Sequence, residues 1–292
     1  MRTEKEMYDL IIGTAQKDER IRAVYMNGSR TNPNVPKNIF QDYDVVYVVK
    51  DIKEFYQDGK WIDVFGERFY MQKPDENTVL LGMENDIKNS YGWLIQFADG
   101  NRLDLHVNQV EFAKRTYLDD KLIKVLLDKD NLLSGAQEST DVDYWVKKPS
   151  KELFSANTNE FWWCTNNLAK GLWREEVPYV LDMLNQYVRP ELIEMLSWKI
   201  GLDTDFSVSV GKCGKYMYRW LPSDEWKSFL ETYCGADIEE IWTSIFIMCD
   251  LFDEVANHVA SRLGYRYNQV EAENARSWLE RVKNLKDDAT DI

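Results

Sequence analysis

The chain has 292 residues, 44% apolar and 13% aromatic, which is enough to fill two hydrophobic cores and excludes disorder as the default. Thirty-six basic side chains stand against fifty acidic ones, giving a formal charge of −14. Such a field repels phosphate backbones and attracts cations, so no nucleic-acid partner is expected.

In chain order, Met1-Arg2-Thr3-Glu4-Lys5-Glu6 is charged and lacks the apolar stretch of a secretory signal. Met7, Leu10, Ile11 and Ala15 then form a helical stripe over residues 4 to 17, which Asp18-Glu19-Arg20 ends. Ile21 to Met26 and the Tyr/Val run Tyr43 to Val49 read as two neighbouring strands. Ser29 to Gln41 between them, with Pro33, Pro36 and several Asn, is a loop by composition. Ser90 to Ala98 and Arg102 to Val107 flank Asp99-Gly100, the turn pair of a tight antiparallel hairpin, and a further strand is expected over Leu122 to Leu127.

From Lys151 onward, Glu160 to Trp173, Pro178 to Ile200 and Ile238 to Leu263 carry helical spacing without strand-like alternation. The fold class is therefore α+β. Residues 1–135 are expected to form a domain with a mixed or antiparallel sheet and flanking helices, residues 136–150 a polar linker, and residues 151–292 a helical bundle, with Ser150 as the N-cap of its first helix. Ile241 to Phe252, the most apolar segment, is too short and interrupted to span a bilayer. Cys164, Cys213, Cys234 and Cys249 include no C-x-x-C pair, and two histidines complete no zinc pattern with them. A cytoplasmic monomer with free thiols and no membrane partner is expected.

The chemically informative pieces are Gly28-Ser29 and, after a twelve-residue loop, Asp42-Tyr43-Asp44 at the mouth of a strand. Side chains two apart on a strand face the same way, so Asp42 and Asp44 aim two carboxylates at one point. That is costly without a cation between them, and hard oxygen donors suit Mg²⁺, which takes one or two carboxylates plus substrate phosphates. Gly28 lets a phosphate approach the backbone, and the Ser29 hydroxyl and nearby amides donate to it. Arg30 either binds phosphate or caps the loop. Asp104, in Leu103-Asp104-Leu105, projects opposite its apolar neighbours and joins the site if its strand pairs beside that of Asp42 and Asp44. His106 shares that face, with an ordinary pKa suited to proton transfer.

A Gly-Ser turn, an Asp-x-Asp pair and a distant strand aspartate together resemble the polymerase-β-type nucleotidyltransferases. More narrowly, Asn27-Gly28-Ser29-Arg30-Thr31-Asn32, Phe40-Gln41-Asp42-Tyr43-Asp44, Met71-Gln72-Lys73-Pro74, Lys124 to Asp130, Asn159-Glu160-Phe161-Trp162, Lys170-Gly171-Leu172 and Val188-Arg189-Pro190 are similar to the streptomycin 6-adenylyltransferases, so the resemblance covers nearly the whole chain. It implies an N-terminal nucleotidyltransferase domain, a helical domain closing the acceptor cleft, ATP as co-substrate with Mg²⁺, and adenylylation of the 6-hydroxyl of an aminoglycoside, streptomycin. It also implies that Asp42, Asp44 and Asp104 hold metal, with Asp104 as general base, and that Lys170 reaches the β- and γ-phosphates. The family's Asp-Leu-Thr is here Asp104-Leu105-His106.

A polycationic acceptor calls for carboxylates and flat aromatic faces, which Glu160, Trp163 and Asp182 supply, although the same aromatics fit a core stripe. Two rival readings are a nucleotidyltransferase with a macromolecular acceptor and a non-catalytic, antitoxin-like binding module. Neither a basic groove stripe nor an R-x4-H nuclease motif is present, since Asp253 stands five residues before His258.

Overall fold

The computed structural model describes residues 1–286 and 288–291. The chain divides into two compact units, Met1–Asp143 and Tyr144–Ile292.

In the first unit, α1 (Glu4–Lys17) opens on a capping box, in which the Thr3 hydroxyl accepts from the Glu6 amide and the Glu6 carboxylate accepts from the Thr3 amide. Its stripe is the one the sequence predicts, with Met7, Ile11 and Ala15 buried. There follow β1 (Ile21–Asn27), β2 (Tyr43–Val49), the short α2 (Lys53–Tyr56), β3 (Arg68–Gln72), α3 (Pro74–Leu80), β4 (Ser90–Phe97), β5 (Arg102–Gln109), α4 (Val110–Thr116) and β6 (Ile123–Asp128). The six strands form one sheet in the order β3-β4-β5-β2-β1-β6. All neighbours are antiparallel except β2 and β5, which run parallel. That pairing requires a long crossover, and everything from α2 to the β4–β5 turn is the crossover.

Period-2 alternation assigns the faces. Tyr43, Val45, Tyr47, Leu103, Leu105 and Val107 lie in the larger core with the α1 stripe, where the Tyr47 hydroxyl donates to the Ile11 carbonyl at 2.7 Å. The opposite face carries a smaller core of Ala23, Tyr25 and Val48 with Ala113, Tyr117 and Leu133. Asp44, Asp104 and His106 belong to this second face, because their immediate strand neighbours belong to the first.

The second unit is helical: α5 (Lys151–Trp173), α6 (Val177–Met183), α7 (Arg189–Asp203), α8 (Ser223–Glu231), α9 (Ile238–Leu263) and α10 (Gln269–Lys283). The Ser150 hydroxyl caps α5 by accepting from the Leu153 amide. A π turn over Leu184–Val188 joins α6 to α7. Phe161 of α5 stacks on Phe252 of α9 at 3.6 Å between ring centroids, and Ile241, Ile245 and Met248 of α9 are buried with them. The most apolar segment of the chain is thus the centre of this core, and among the described residues no helix is long and apolar enough to cross a membrane. Arg189 is buried too. Its guanidinium donates to the Thr232 hydroxyl and carbonyl and lies 3.7 Å over the Tyr233 ring, so the Val188-Arg189-Pro190 stretch holds α7 to the end of α8.

Candidate active site

β1 ends at Asn27, and the chain turns through Gly28 with φ +74°, a conformation that L side chains seldom adopt. The turn is closed by the Thr31 amide and hydroxyl, both donating to the Gly28 carbonyl at 3.1 and 2.9 Å. Gly28 also lies against Asp44: a Cβ at this position would stand 2.0 Å from the Asp44 Oδ2. Two independent constraints therefore select glycine here, one from the backbone and one from the carboxylate. Ser29 follows, half-buried.

Arg30 is committed to the loop. It donates to the Asp42 and Gln41 carbonyls at 3.0 and 2.8 Å, lies 3.7 Å over the Tyr43 ring and approaches Glu4 at 3.6 Å. Gln41 adds a side-chain bond to the Ser29 carbonyl at 3.2 Å. Together these contacts fix the far end of the Ser29–Asp42 loop and the point at which Asp42 enters the sheet.

Parallel pairing of β2 with β5 sets Asp44 opposite Asp104 in register, with Asn27 of β1 opposite Asp44 on its other side. Asp42 stands one residue before β2 begins. Three negative charges in one place show in the electrostatics. The Asp44 carboxyl is pushed up to about 6, first by burial and then by the charges of Asp104 and Asp42. Burial also raises Asp42, with Asp104 adding to the shift and Arg102 opposing it.

Arg102, which the sequence reading passed over, stands among these carboxylates. Its guanidinium grips Asp104 in bidentate fashion, Nε to Oδ1 at 2.9 Å and Nη2 to Oδ2 at 2.7 Å, while Nη1 lies 3.4 Å from the Asp42 Oδ2. The signal for it was available: Arg102 is two residues before Asp104 on the same strand, hence on the same face. Among the described residues, no three His, Cys, Asp or Glu side chains form a ready metal cage, and it is the Arg102 guanidinium that stands between Asp42 and Asp104. The donors themselves suit a hard cation. They are carboxylate oxygens only, burial and then the neighbouring carboxylates raise Asp44, and they lie beside a glycine turn that leaves room for phosphate.

His106 lies two residues beyond Asp104, opposite Val46 and Gly92, and burial pushes its imidazole towards the neutral form. A Cβ on Gly92 would fall 2.6 Å from the His106 ring, so that glycine makes room for the imidazole.

In the helical unit, Lys170 is half-buried near the end of α5 and, among the described residues, forms no ion pair. Glu160 is exposed on the same helix and accepts from the Cys164 thiol at 3.3 Å. Trp163 departs from the core stripe that its neighbours Phe161 and Trp162 follow: it is 68% exposed and lines a cleft of about 300 Å³ with Asn166, Glu271 and Trp278. Asp182 is exposed on α6 and accepts from Gln186. Glu191 of α7, not singled out from sequence, receives a bond from the buried Asn157 amide, and its carboxyl is raised by burial and by the charge of Glu160. Glu160 and Glu191 are thus close enough to feel each other, and among the described residues neither is paired with a cation.

The family model described as streptomycin adenylyltransferase matches residues 1–282. The chain is similar to the aminoglycoside 6-adenylyltransferase of Campylobacter jejuni, 39% identical over 91% of each chain. It is also similar to that of Bacillus subtilis (strain 168), 38% identical over 91% of this chain and 93% of the relative, and to that of Staphylococcus aureus, 35% identical over 93% and 95%. A solved structure of an aminoglycoside 6-adenyltransferase from Bacillus subtilis is 33% identical, covering 98% of this chain and 100% of that one with a TM-score of 0.48.

Proposed function

The chain belongs to the streptomycin adenylyltransferase family, a family of nucleotidyltransferases, and from that premise we propose that it transfers AMP from ATP to the 6-hydroxyl of streptomycin and releases pyrophosphate. The observation that carries the reading is the in-register pairing of Asp44 with Asp104 beside the Gly28 turn, with Asp42 adjoining.

In this reading the Gly28-Ser29 turn takes the triphosphate through backbone amides and the Ser29 hydroxyl. Asp42, Asp44 and Asp104 hold Mg²⁺, which when bound neutralises charge developing on the α-phosphate. Asp104 accepts the proton of the acceptor hydroxyl as its oxygen attacks the α-phosphorus, forming the new P–O bond while the bond to pyrophosphate breaks. A carboxylate is a weak base for an alcohol, so positioning and electrostatics supply most of the acceleration. Lys170 is the helical unit's candidate phosphate ligand. The same unit recognises the cationic acceptor: Glu160, Trp163 and Asp182 offer charge and a flat face to guanidinium groups.

The test is pyrophosphate release with ATP and Mg²⁺ across a panel of aminoglycosides. Release is expected with streptomycin and not with kanamycin, and the reverse selectivity sinks the acceptor assignment. Within that assay, Glu160→Gln is expected to raise KM for streptomycin about tenfold, the worth of one charge-assisted hydrogen bond, with KM for ATP unchanged. A streptomycin KM equal to that of the parent removes Glu160 from the acceptor site.

A further inference from the structure

We propose that Arg102 is the resident counter-ion of the carboxylate site, and that by holding Asp42 and Asp104 it makes divalent-metal binding conditional on the nucleotide. The inference rests on the reading of Asp42, Asp44 and Asp104 as metal ligands.

Charge comes first. Three carboxylates brought together by β2 and β5 repel one another, and in the absence of a metal some cation must offset them. The guanidinium does so with two donors on Asp104 and a third directed at Asp42. A divalent ion that takes both carboxylates must first break this bidentate, charge-assisted pair, and leaves a cation without partners.

Position makes the exchange feasible. Arg102 is the first residue of β5, its side chain 43% exposed, while the Asp104 carboxylate it grips is only 15% exposed. The guanidinium has solvent to move into; the carboxylate has nowhere to go. A triphosphate changes the balance, because it supplies anionic oxygens to both the metal and the displaced guanidinium, whose planar fork suits phosphate as well as carboxylate. Metal and nucleotide together therefore displace Arg102, whereas metal alone competes poorly. The loss to metal alone is expected to be about ten- to hundredfold in affinity, the range of a charge-assisted bidentate contact.

The experiment is Mn²⁺ binding to the full chain, followed by paramagnetic resonance or calorimetry, with and without a non-hydrolysable ATP analogue. Parent, Arg102→Met, Arg102→Lys and Asp44→Asn are compared, and circular dichroism confirms that each is folded. Arg102→Met is expected to bind Mn²⁺ alone at least tenfold more tightly than the parent, so that the analogue's enhancement of metal affinity shrinks. Arg102→Lys, which keeps charge but loses the fork, is expected to fall between them, and it carries the test if Arg102→Met fails to fold. Binding to Arg102→Met no tighter than to the parent, while Asp44→Asn abolishes binding, overturns the counter-ion role and leaves the metal site standing. Binding indifferent to Asp44→Asn overturns both.

Discussion

Asp104→Asn is expected to bind nucleotide, titrated without divalent metal, within about threefold of the parent and to lose turnover by three orders of magnitude or more. The expectation follows from the two tasks that Asp104 carries in the proposed reaction. As a metal ligand opposite Asp44 it contributes one of the charges that hold the cation, and as proton acceptor it completes the attack of the acceptor hydroxyl. A positioned general base alone is worth about a hundred- to ten-thousandfold, and a weakened metal site adds to that loss. Nucleotide affinity titrated without divalent metal is largely spared, because the Gly28-Ser29 turn and its amides are untouched and every strand contact of β5 stays in place. Single-turnover pyrophosphate release measures the chemical step, and titration with a fluorescent ATP analogue measures binding. A variant with near-normal release removes Asp104 from the chemistry. Loss of binding and release together would instead show that residue 104 serves the nucleotide rather than the proton.

Gly28→Ala is expected to cost about 1–3 kcal/mol of stability and to cut turnover about a hundredfold. The backbone at residue 28 sits at φ +74°, which is strained for any residue with a Cβ, and the added methyl would overlap the Asp44 carboxylate at 2.0 Å. Asp44 cannot stay where it is. Because it faces Asp104 across a single register step, its displacement misplaces the site without altering any charge. Denaturant unfolding and pyrophosphate release, measured on the same preparation, check the two halves. An alanine variant of parental stability and rate removes the close packing of the turn against Asp44 from the account.

The elements with strong local signals were legible in the sequence. The α1 stripe, the β1 and β2 runs, the Asp99-Gly100 hairpin and the Ser150 cap each depend on residues within one or two turns of one another, and each stands where its pattern predicts. β3 was not legible. It is one of the two edge strands, its Phe69 and Tyr70 are both exposed, and no alternation of apolar and polar residues marks it. Trp163, which the sequence offers both as a flat face for the acceptor and as part of a core stripe, is 68% exposed, because residue 163 falls off the helical face that buries Phe154, Phe161, Trp162, Thr165 and Leu168.

The carboxylate site divides along the same line. Composition, the Gly28-Ser29 turn and the Asp42-x-Asp44 spacing are properties of the chain, and so is the face on which Asp104 lies. Period-2 alternation fixes a side chain's face whatever the strand pairs with. Which strand lies beside which is a different matter. Asp44 and Asp104 are sixty residues apart, and only the parallel pairing of β2 with β5, in a register set by burying Tyr43, Val45 and Tyr47 together with Leu103, Leu105 and Val107, brings them opposite each other. The Arg30 bonds to the loop carbonyls and the Arg102 bridge across Asp42 and Asp104 are likewise decided only in three dimensions, because a long cation chooses among partners by distance, and distance is set by the assembled sheet.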